Sequence, residues 1–400
     1  MLVIGNVNSV FIDNLYKAIV GKSSDLTFYI LNNKDQDSEH SQIKHLNTKK
    51  IHIPFFRKCV YLISFPLLMV LHLLFVKISM GSLNPMTHIR FIRRRFKDFC
   101  LAKYCEQTLQ ITEVHTQTII LDGMWLNFFF SSSIKKVYSI WGSDLLRVSN
   151  PYDYYHIHGL LKKSDNITVA NIHVKEFLLV KYGRVLNDKI ILNYFILSRA
   201  IFDKMDAVSI DDITKMKDSY HVDASQSVVI VGHSGDINDQ HIEILKALET
   251  KMSEDDLNHF VFILPLAYGL TTQYKKKLQN YKKESSLNIH LQTEFLSFED
   301  LAILKRLAHH VIMTPVSDAN SAFVIESIYA GSNVIVGSWL PYGHHRQIGL
   351  PFQEIESFDQ LYYCLNHQQE RKYTQSEINS SIMSEYFSEE IVKGWINILE

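Results

Sequence analysis

Cysteine is scarce. Cys59, Cys100, Cys105 and Cys364 are too few and too scattered for a disulfide scaffold, and none forms a CxxC or CxxxC pair. A reduced, cytosolic chain without structural zinc is expected. An excess of one charge is also missing. Lys and Arg number 41 against 42 Asp and Glu, a net charge of −1, so nothing in the whole-chain balance argues for nucleic acid as a partner. The opening residues Met1–Ser9 carry no basic stretch and no long apolar run, so a strand is expected there rather than a signal peptide. Glycine is rare as well, 15 in 400, about half the usual share of roughly 7%. Each glycine therefore marks a place where the backbone is expected to need one. What is present is globular: 46% hydrophobic, 12% aromatic and 21% charged residues. That excludes a disordered chain, a collagen and a coiled-coil rod, and the length suits two domains.

Apolar runs alternate with amphipathic ones. Leu2–Ile4 reads as a buried strand, Val10–Val20 as a helix and Leu26–Leu31 as a second strand, a βαβ unit that predicts a parallel sheet. Residues 32–50 read as a polar loop. Further strands are expected at Thr118–Leu121, Lys136–Ile140, Ile167–Ala170 and Lys189–Leu192, with a helix at Val174–Tyr182 closed by Gly183. Residues 198–226 are mostly polar and look like a domain junction. A second series begins at Ser227–Gly232 and runs strand, helix, strand as far as Asn333–Val336; Ser384–Leu399 reads as a terminal helix. The expected fold class is α/β, with two Rossmann-like domains: 1–198, then 199–383, followed by the helical stretch 384–400.

Cys59–Val76 is an 18-residue stretch without formal charge, interrupted by Pro66 and followed by Arg90, Arg93, Arg94, Arg95 and Lys97. Three readings of it stand: a buried or half-buried helix of the first domain, an interfacial helix lying on an anionic inner leaflet with the arginines on headgroups, or a membrane span. The segment 55–97 is accordingly expected to associate with a membrane surface.

Ligands of open α/β sheets bind beyond the carboxyl ends of the strands. Four loops stand there in the second half. Gly232-His233-Ser234-Gly235 follows the first strand, and its small residues suit backbone contact with an anion. Pro265–Gly269 follows the second and carries Tyr268. Thr314–Glu326 holds Asp318, Asn320, Ser321 and Glu326, with the two acidic residues separated by seven positions; Glu326 is placed on a helix where it suits a ribose diol. Gly337–Arg346 ends in His344, His345 and Arg346, cations suited to a diphosphate. The one Asp-x-Asp, Asp35-Gln36-Asp37, falls in the polar stretch 32–50, away from these loops, and clustered metal-ligand spacings are missing, so no metal and no other cofactor are expected.

Together these loops resemble the donor domain of GT-B glycosyltransferases. Ser317–Val336 (SDANSAFVIESIYAGSNVIV) is similar to that superfamily's acidic-x7-acidic motif, with Asp318 where the retaining pattern has Glu. Residues 231–248, 264–269 and 295–306, with Trp141-Gly-Ser-Asp-Leu145 in the first half, are similar to bacterial TDP-N-acetylfucosamine:lipid II N-acetylfucosaminyltransferases. That family lacks a glutamate equivalent to Glu326. The resemblance therefore implies a relative with a different donor or stereochemistry. It also implies a cleft between the domains, a nucleotide-sugar donor in the second, and a saccharide acceptor, lipid-linked and at the inner face of the cytoplasmic membrane, in the first. The product would be a cell-envelope polysaccharide. Asp144, Asp318 and Glu326 become the catalytic candidates. The donor-binding set is Gly232, His233, Ser234, Gly235, Tyr268, Asn320, Ser321, Glu326, His345 and Arg346. The acceptor-binding set is Asn6, Asp122, Trp125 and Trp141. The acidic pair leans toward retention of configuration and the fucosaminyltransferase likeness toward inversion. A nucleotide-sugar 2-epimerase on the same fold and a non-catalytic saccharide- or nucleotide-binding protein are the alternatives.

Overall fold

The computed structural model describes residues 1–5, 10–23, 26–32, 40–79, 85–319, 321–367 and 371–400. These form two compact units: Met1–Ile196 with Glu389–Glu400, and Leu197–Ser388. Each is built on one parallel sheet, so the chain is α/β throughout.

Unit 1 carries seven strands: β1 (Leu2–Ile4), β2 (Phe28–Asn32), β3 (Ile43–Asn47), β4 (Glu113–Gln117), β5 (Lys135–Ile140), β6 (Asn166–Val169) and β7 (Ile190–Leu192), in the order β3-β2-β1-β4-β5-β6-β7. Strand order turns back between β1 and β4, the topological switch point at which such sheets bind ligands. One face is covered by α1 (Val10–Val20) and by the C-terminal helix Glu389–Leu399, whose Trp395 is fully buried beside Tyr16, Phe28 and Phe195. The chain thus returns to its first unit for its last twelve residues. The 384–400 stretch is two helices rather than one: Gln375–Tyr386 ends within it and Glu389–Leu399 follows.

The other face is covered by α2 (Phe55–Ile63), α3 (Leu67–Ser79) and the long α4 (Pro85–Thr108). Pro66 cannot continue the preceding helix, and the pair α2 and α3 is bent by 72° at the break. Among the described residues no single helix is long and apolar enough to cross a membrane; α2 and α3 reach that length and hydropathy only as the bent pair. The stretch is half-buried, as one of the expected readings had it, a buried or half-buried helix of the first domain. Its inner side packs on α4 through Tyr61 and Val70, with Tyr61 and Phe65 set edge-to-face against Phe99 and Phe96. Its outer side leaves Ile63 89% exposed, Leu68 85% and Phe55 81%. The arginine run also divides. Arg95 is buried, stacked over the Trp125 ring at 4.0 Å and paired with Asp98 at 3.0 Å, so it cannot serve as a headgroup contact; Arg90, Arg93 and Arg94 are exposed.

Two expectations for unit 1 are corrected. Residues 32–50 are not all loop, because Ile43–Asn47 forms the edge strand β3, in register with β2 from Phe28↔Ile43 to Asn32↔Asn47. The strand expected at Thr118–Leu121 lies earlier, at Glu113–Gln117. The strand itself is polar and carries no apolar run; His115, Thr116 and Gln117 are buried and hydrogen-bonded to Ser139, Asn127 and Tyr16 respectively.

Unit 2 carries six strands: β8 (Ser227–Val231), β9 (Phe260–Pro265), β10 (Asn288–Gln292), β11 (His310–Met313), β12 (Asn333–Gly337) and β13 (Gln353–Ile355), in the order β10-β9-β8-β11-β12-β13. The strand sequences SVVIV, FVFILP and NVIVG are near-continuous hydrophobic runs, as expected where both faces of a parallel sheet are covered. The expected domain junction, 198–226, is mostly two helices, Arg199–Ala207 and Ile210–Ser219. In unit 2 the switch point falls between β8 and β11.

Candidate active site

The loops after β8, β9 and β11 meet at that switch point. Gly232 takes φ +70, a left-handed conformation that favours glycine, and a Cβ there would stand 2.7 Å from Nε2 of His241 and 3.1 Å from Oδ2 of Asp239. Its N–H donates to the Ile312 carbonyl of β11 at 2.9 Å. Gly235 lets the β9 loop approach: a Cβ would lie 2.5 Å from Leu270, and its N–H donates to the Tyr268 carbonyl at 2.6 Å. Tyr268 thus contributes its backbone to the loop, while its ring stays exposed. The β11 loop is tied in from the other side. Gln240 Nε2 donates to the Thr314 carbonyl at 2.7 Å and the Val316 N–H donates to the Asn238 carbonyl at 2.8 Å.

One buried carboxylate organises the β8 loop. Oδ2 of Asp239 accepts from the His233 N–H at 3.1 Å, from the Ser234 N–H at 2.9 Å and from the Ser234 hydroxyl at 2.9 Å, and it faces His233 Nδ1 at 3.3 Å. Burial raises the Asp239 pKa, but the His233 hydrogen bond and charge outweigh it and hold the group at about 2. Burial in turn pulls His233 down, while Asp239 and the more distant Asp318 more than compensate, leaving the imidazole above its ordinary value. Oδ1 of Asp239 and the buried hydroxyl of Thr314 have no hydrogen-bond partner among the described residues. The loop is a charged, braced turn whose open atoms, a carboxylate oxygen and a hydroxyl, suit a ligand hydroxyl.

A second pair lies beyond His233. Phe323 is 6.0 Å from the His233 ring, and the Lys305 ammonium sits over Phe323 at 3.2 Å from its centroid. Lys305 is 0% exposed and pairs with Glu326, 13% exposed, at 3.1 Å. Burial depresses the Lys305 pKa, with Glu326 opposing. Glu326 rides on the helix Ala322–Ala330, which Ser321 caps by accepting from the Val324 N–H at 3.4 Å. Asp318, in the loop before it, accepts from its neighbour Ala319's N–H at 2.7 Å and from the buried Tyr342 hydroxyl at 2.7 Å. Asn320 lies outside the described residues.

Two of the three cations expected for a diphosphate, those placed in the donor-binding set, are corrected. His345 is buried, shares a 2.9 Å hydrogen bond with the Tyr386 hydroxyl, and burial lowers its pKa to about 3, so it is a neutral core histidine. Arg346 is neutralised by Glu354, with Nε 3.0 and 3.1 Å from its two oxygens.

Unit 1 receives its candidates differently. Asp144 is 3% exposed, and its oxygens accept from the N–H groups of Ile119 at 2.8 Å, Gly142 at 2.8 Å and Trp141 at 3.0 Å. Those bonds make it a brace that joins the loops after β4 and β5. Burial still raises its pKa against those hydrogen bonds. Trp141 stacks on Phe195 at 4.0 Å and donates its indole N–H to Gln117 at 3.0 Å, a packing role. Trp125 is buried beneath Arg95. Asp122 falls in the short helix Leu121–Met124, and Asn6 lies outside the described residues. Among the described residues no three His, Cys, Asp or Glu side chains gather into a metal-binding group.

Lys305 and Asp239 were missed as site residues. For Lys305 a signal was there: within Phe298–Leu307 it falls on the buried face with Ala302, a charged residue where the apolar stripe runs.

No protein-family profile matches the sequence, and no curated protein matches it. Solved structures do. A glycosyltransferase from Rickettsia africae aligns with a TM-score of 0.65 at 13% identity, over 99% of this chain and 96% of that one. A UDP-forming α,α-trehalose-phosphate synthase from Burkholderia xenovorans, in complex with glucose-6-phosphate, aligns with a TM-score of 0.64 at 11% identity, over 100% and 98%. The E. coli trehalose-6-phosphate structure bound with UDP-2-fluoro glucose aligns with a TM-score of 0.62 at 11% identity, over 99% and 96%. The chain has their fold. The two-domain GT-B architecture expected from the sequence is the one found.

Proposed function

We propose that the protein is a glycosyltransferase that moves a sugar from a nucleotide-sugar donor held by unit 2 to a saccharide acceptor held by unit 1. The acceptor in this reading is lipid-linked and the reaction serves cell-envelope polysaccharide assembly at a membrane surface. The observation that carries the reading is the set of post-strand loops at the unit 2 switch point: the Asp239-braced turn with His233, and the helix bearing Glu326. Transfer requires stabilising a departing diphosphate. The His233 imidazole, held above its ordinary pKa by Asp239, supplies that chemistry, with His345 and Arg346 excluded from it. The carboxylate of Glu326 is suited to accept from a ribose diol. Asp144 is a positioning residue in this reading, since its oxygens hold backbone.

The test is a thermal-shift screen of nucleotide sugars on the full chain. A ligand at a hundred times its Kd stabilises the folded state by about 2.7 kcal/mol, so the right donor raises Tm. No shift with any nucleotide or nucleotide sugar would remove the donor reading. Turnover of a donor without any acceptor would instead favour the epimerase.

Membrane attachment is supported by the exposed side of α2 and α3, flanked by Arg57, Lys58 and the exposed arginines of α4. Interfacial binding scales with buried apolar area plus attraction to anionic lipid. The triple variant Phe55→Ser, Ile63→Ser, Leu68→Ser is expected to bind phosphatidylglycerol vesicles roughly tenfold or more weakly. Co-sedimentation of the variant at wild-type strength would exclude this face.

A further inference from the structure

A cavity of about 500 Å3 opens in unit 1 where α4 faces the loops following β4 and β5. Lys77, Arg90, Arg94 and Arg95 line it, against a single carboxylate, Asp153. Arg95 is a fixed cation, held by Asp98 and stacked on the buried Trp125, which forms part of the wall with Phe91. Arg90 and Arg94 are different. Both are exposed, and among the described residues neither side chain has an ion pair or hydrogen bond. Tyr152 also lines the cavity, and its buried hydroxyl has no partner among the described residues. Two guanidinium groups without an ion pair beside a buried, unpaired hydroxyl suit a doubly charged oxyanion; guanidinium groups bind phosphate by paired hydrogen bonds. Lys77 sits in the last turn of α3, the helix whose outer side exposes Leu68 and Phe75. The apolar surface therefore runs directly to the basic cavity.

We infer that this cavity binds the phosphate or diphosphate of the acceptor, with the lipid-linked form seated along α3 and its phosphate against Arg90 and Arg94. The inference rests on the glycosyltransferase reading for the word acceptor, but the phosphate site stands on its own geometry. A soluble sugar phosphate offers the same oxyanion, so the test separates the two sources.

The full chain is titrated with phosphatidylcholine vesicles carrying either a polyprenyl monophosphate or the same charge as phosphatidylglycerol. The wild type is expected to prefer the polyprenyl phosphate by about tenfold. Inorganic pyrophosphate is expected to abolish the preference, and R90Q/R94Q to reduce it to about one. Both arginines are exposed, so the variant folds; retained nucleotide-sugar stabilisation in unit 2 checks this. A preference that survives in R90Q/R94Q, or that pyrophosphate leaves intact, overturns the site. Absence of a preference, with glucose 6-phosphate bound by the wild type and not by R90Q/R94Q, overturns the lipid-linked form and keeps the phosphate site. A wild type that shows the preference but is stabilised by no nucleotide sugar supports the phosphate site while the transferase reading fails.

Discussion

Glu326→Leu is expected to cost about 3–5 kcal/mol of stability, because it leaves the buried Lys305 ammonium without its counter-charge. Lys305 is fully enclosed and its one carboxylate partner among the described residues is Glu326, at 3.1 Å. Its other contacts, the Phe323 ring and distances of 3.5 Å to the Ser327 hydroxyl and Phe323 carbonyl, do not replace a charge. The deficit has a pH signature. Burial already lowers the Lys305 pKa, and loss of Glu326 lowers it further. The folded variant then binds fewer protons than the unfolded chain, so its stability rises with pH and the deficit shrinks toward pH 10. A second substitution, Lys305→Met, is expected to restore most of the stability, since apolar replacements of buried ion pairs are often neutral. Urea unfolding of the two variants across pH measures this. The restored double variant also separates structure from function. If Glu326 holds the donor, the double variant is folded yet binds nucleotide sugar roughly ten- to a hundredfold more weakly, the worth of a hydrogen bond to a charged group. Wild-type binding by the double variant would make Glu326 purely structural.

The sheets were legible because parallel strands covered on both faces are written as uninterrupted Val/Ile runs; Val228–Val231, Phe260–Leu264 and Asn333–Val336 could be read directly. β4 could not, because its sequence EVHTQ is polar and its stability comes from buried hydrogen bonds: His115 with Tyr16 at 2.8 Å and with Ser139 at 2.7 Å. The three-residue β13 carries too little pattern to read at all. At the site, loop positions were legible from glycine and strand ends, but charge state was not. His345 and Arg346 read as free cations, and only the fold brings Tyr386 and Glu354 to them. Lys305 sits on the apolar stripe of its helix, but only the fold brings it Phe323 and Glu326 as partners. Sequence locates loops; which of their charges survive folding depends on partners tens of residues away.

Asp239→Asn is expected to cost about 2–3 kcal/mol at pH 7 and almost nothing at pH 2. The sign follows from the direction of each shift. Asp239 is held at about 2 against an ordinary 3.8, so its contribution is present above pH 4 and is lost as pH falls toward 2. That interval is worth about 2 kcal/mol. His233 is shifted upward, so its contribution is present below pH 6.5 and is lost as pH climbs through the raised value. The wild-type loop is therefore most stable between roughly pH 4 and 6.5, where both groups are charged. In Asp239→Asn the acid limb disappears, and burial, now unopposed by Asp239, brings the His233 titration down. Nucleotide-sugar affinity is expected to follow the imidazolium: in the wild type it weakens as pH rises above 6.5, and in the variant the weakening starts at lower pH. The His233 ring resonances, followed by NMR across pH in both proteins, decide the matter. An unchanged His233 titration in the variant would mean that the loop is held by its backbone N–H bonds alone, and that the donor-facing charge must come from elsewhere.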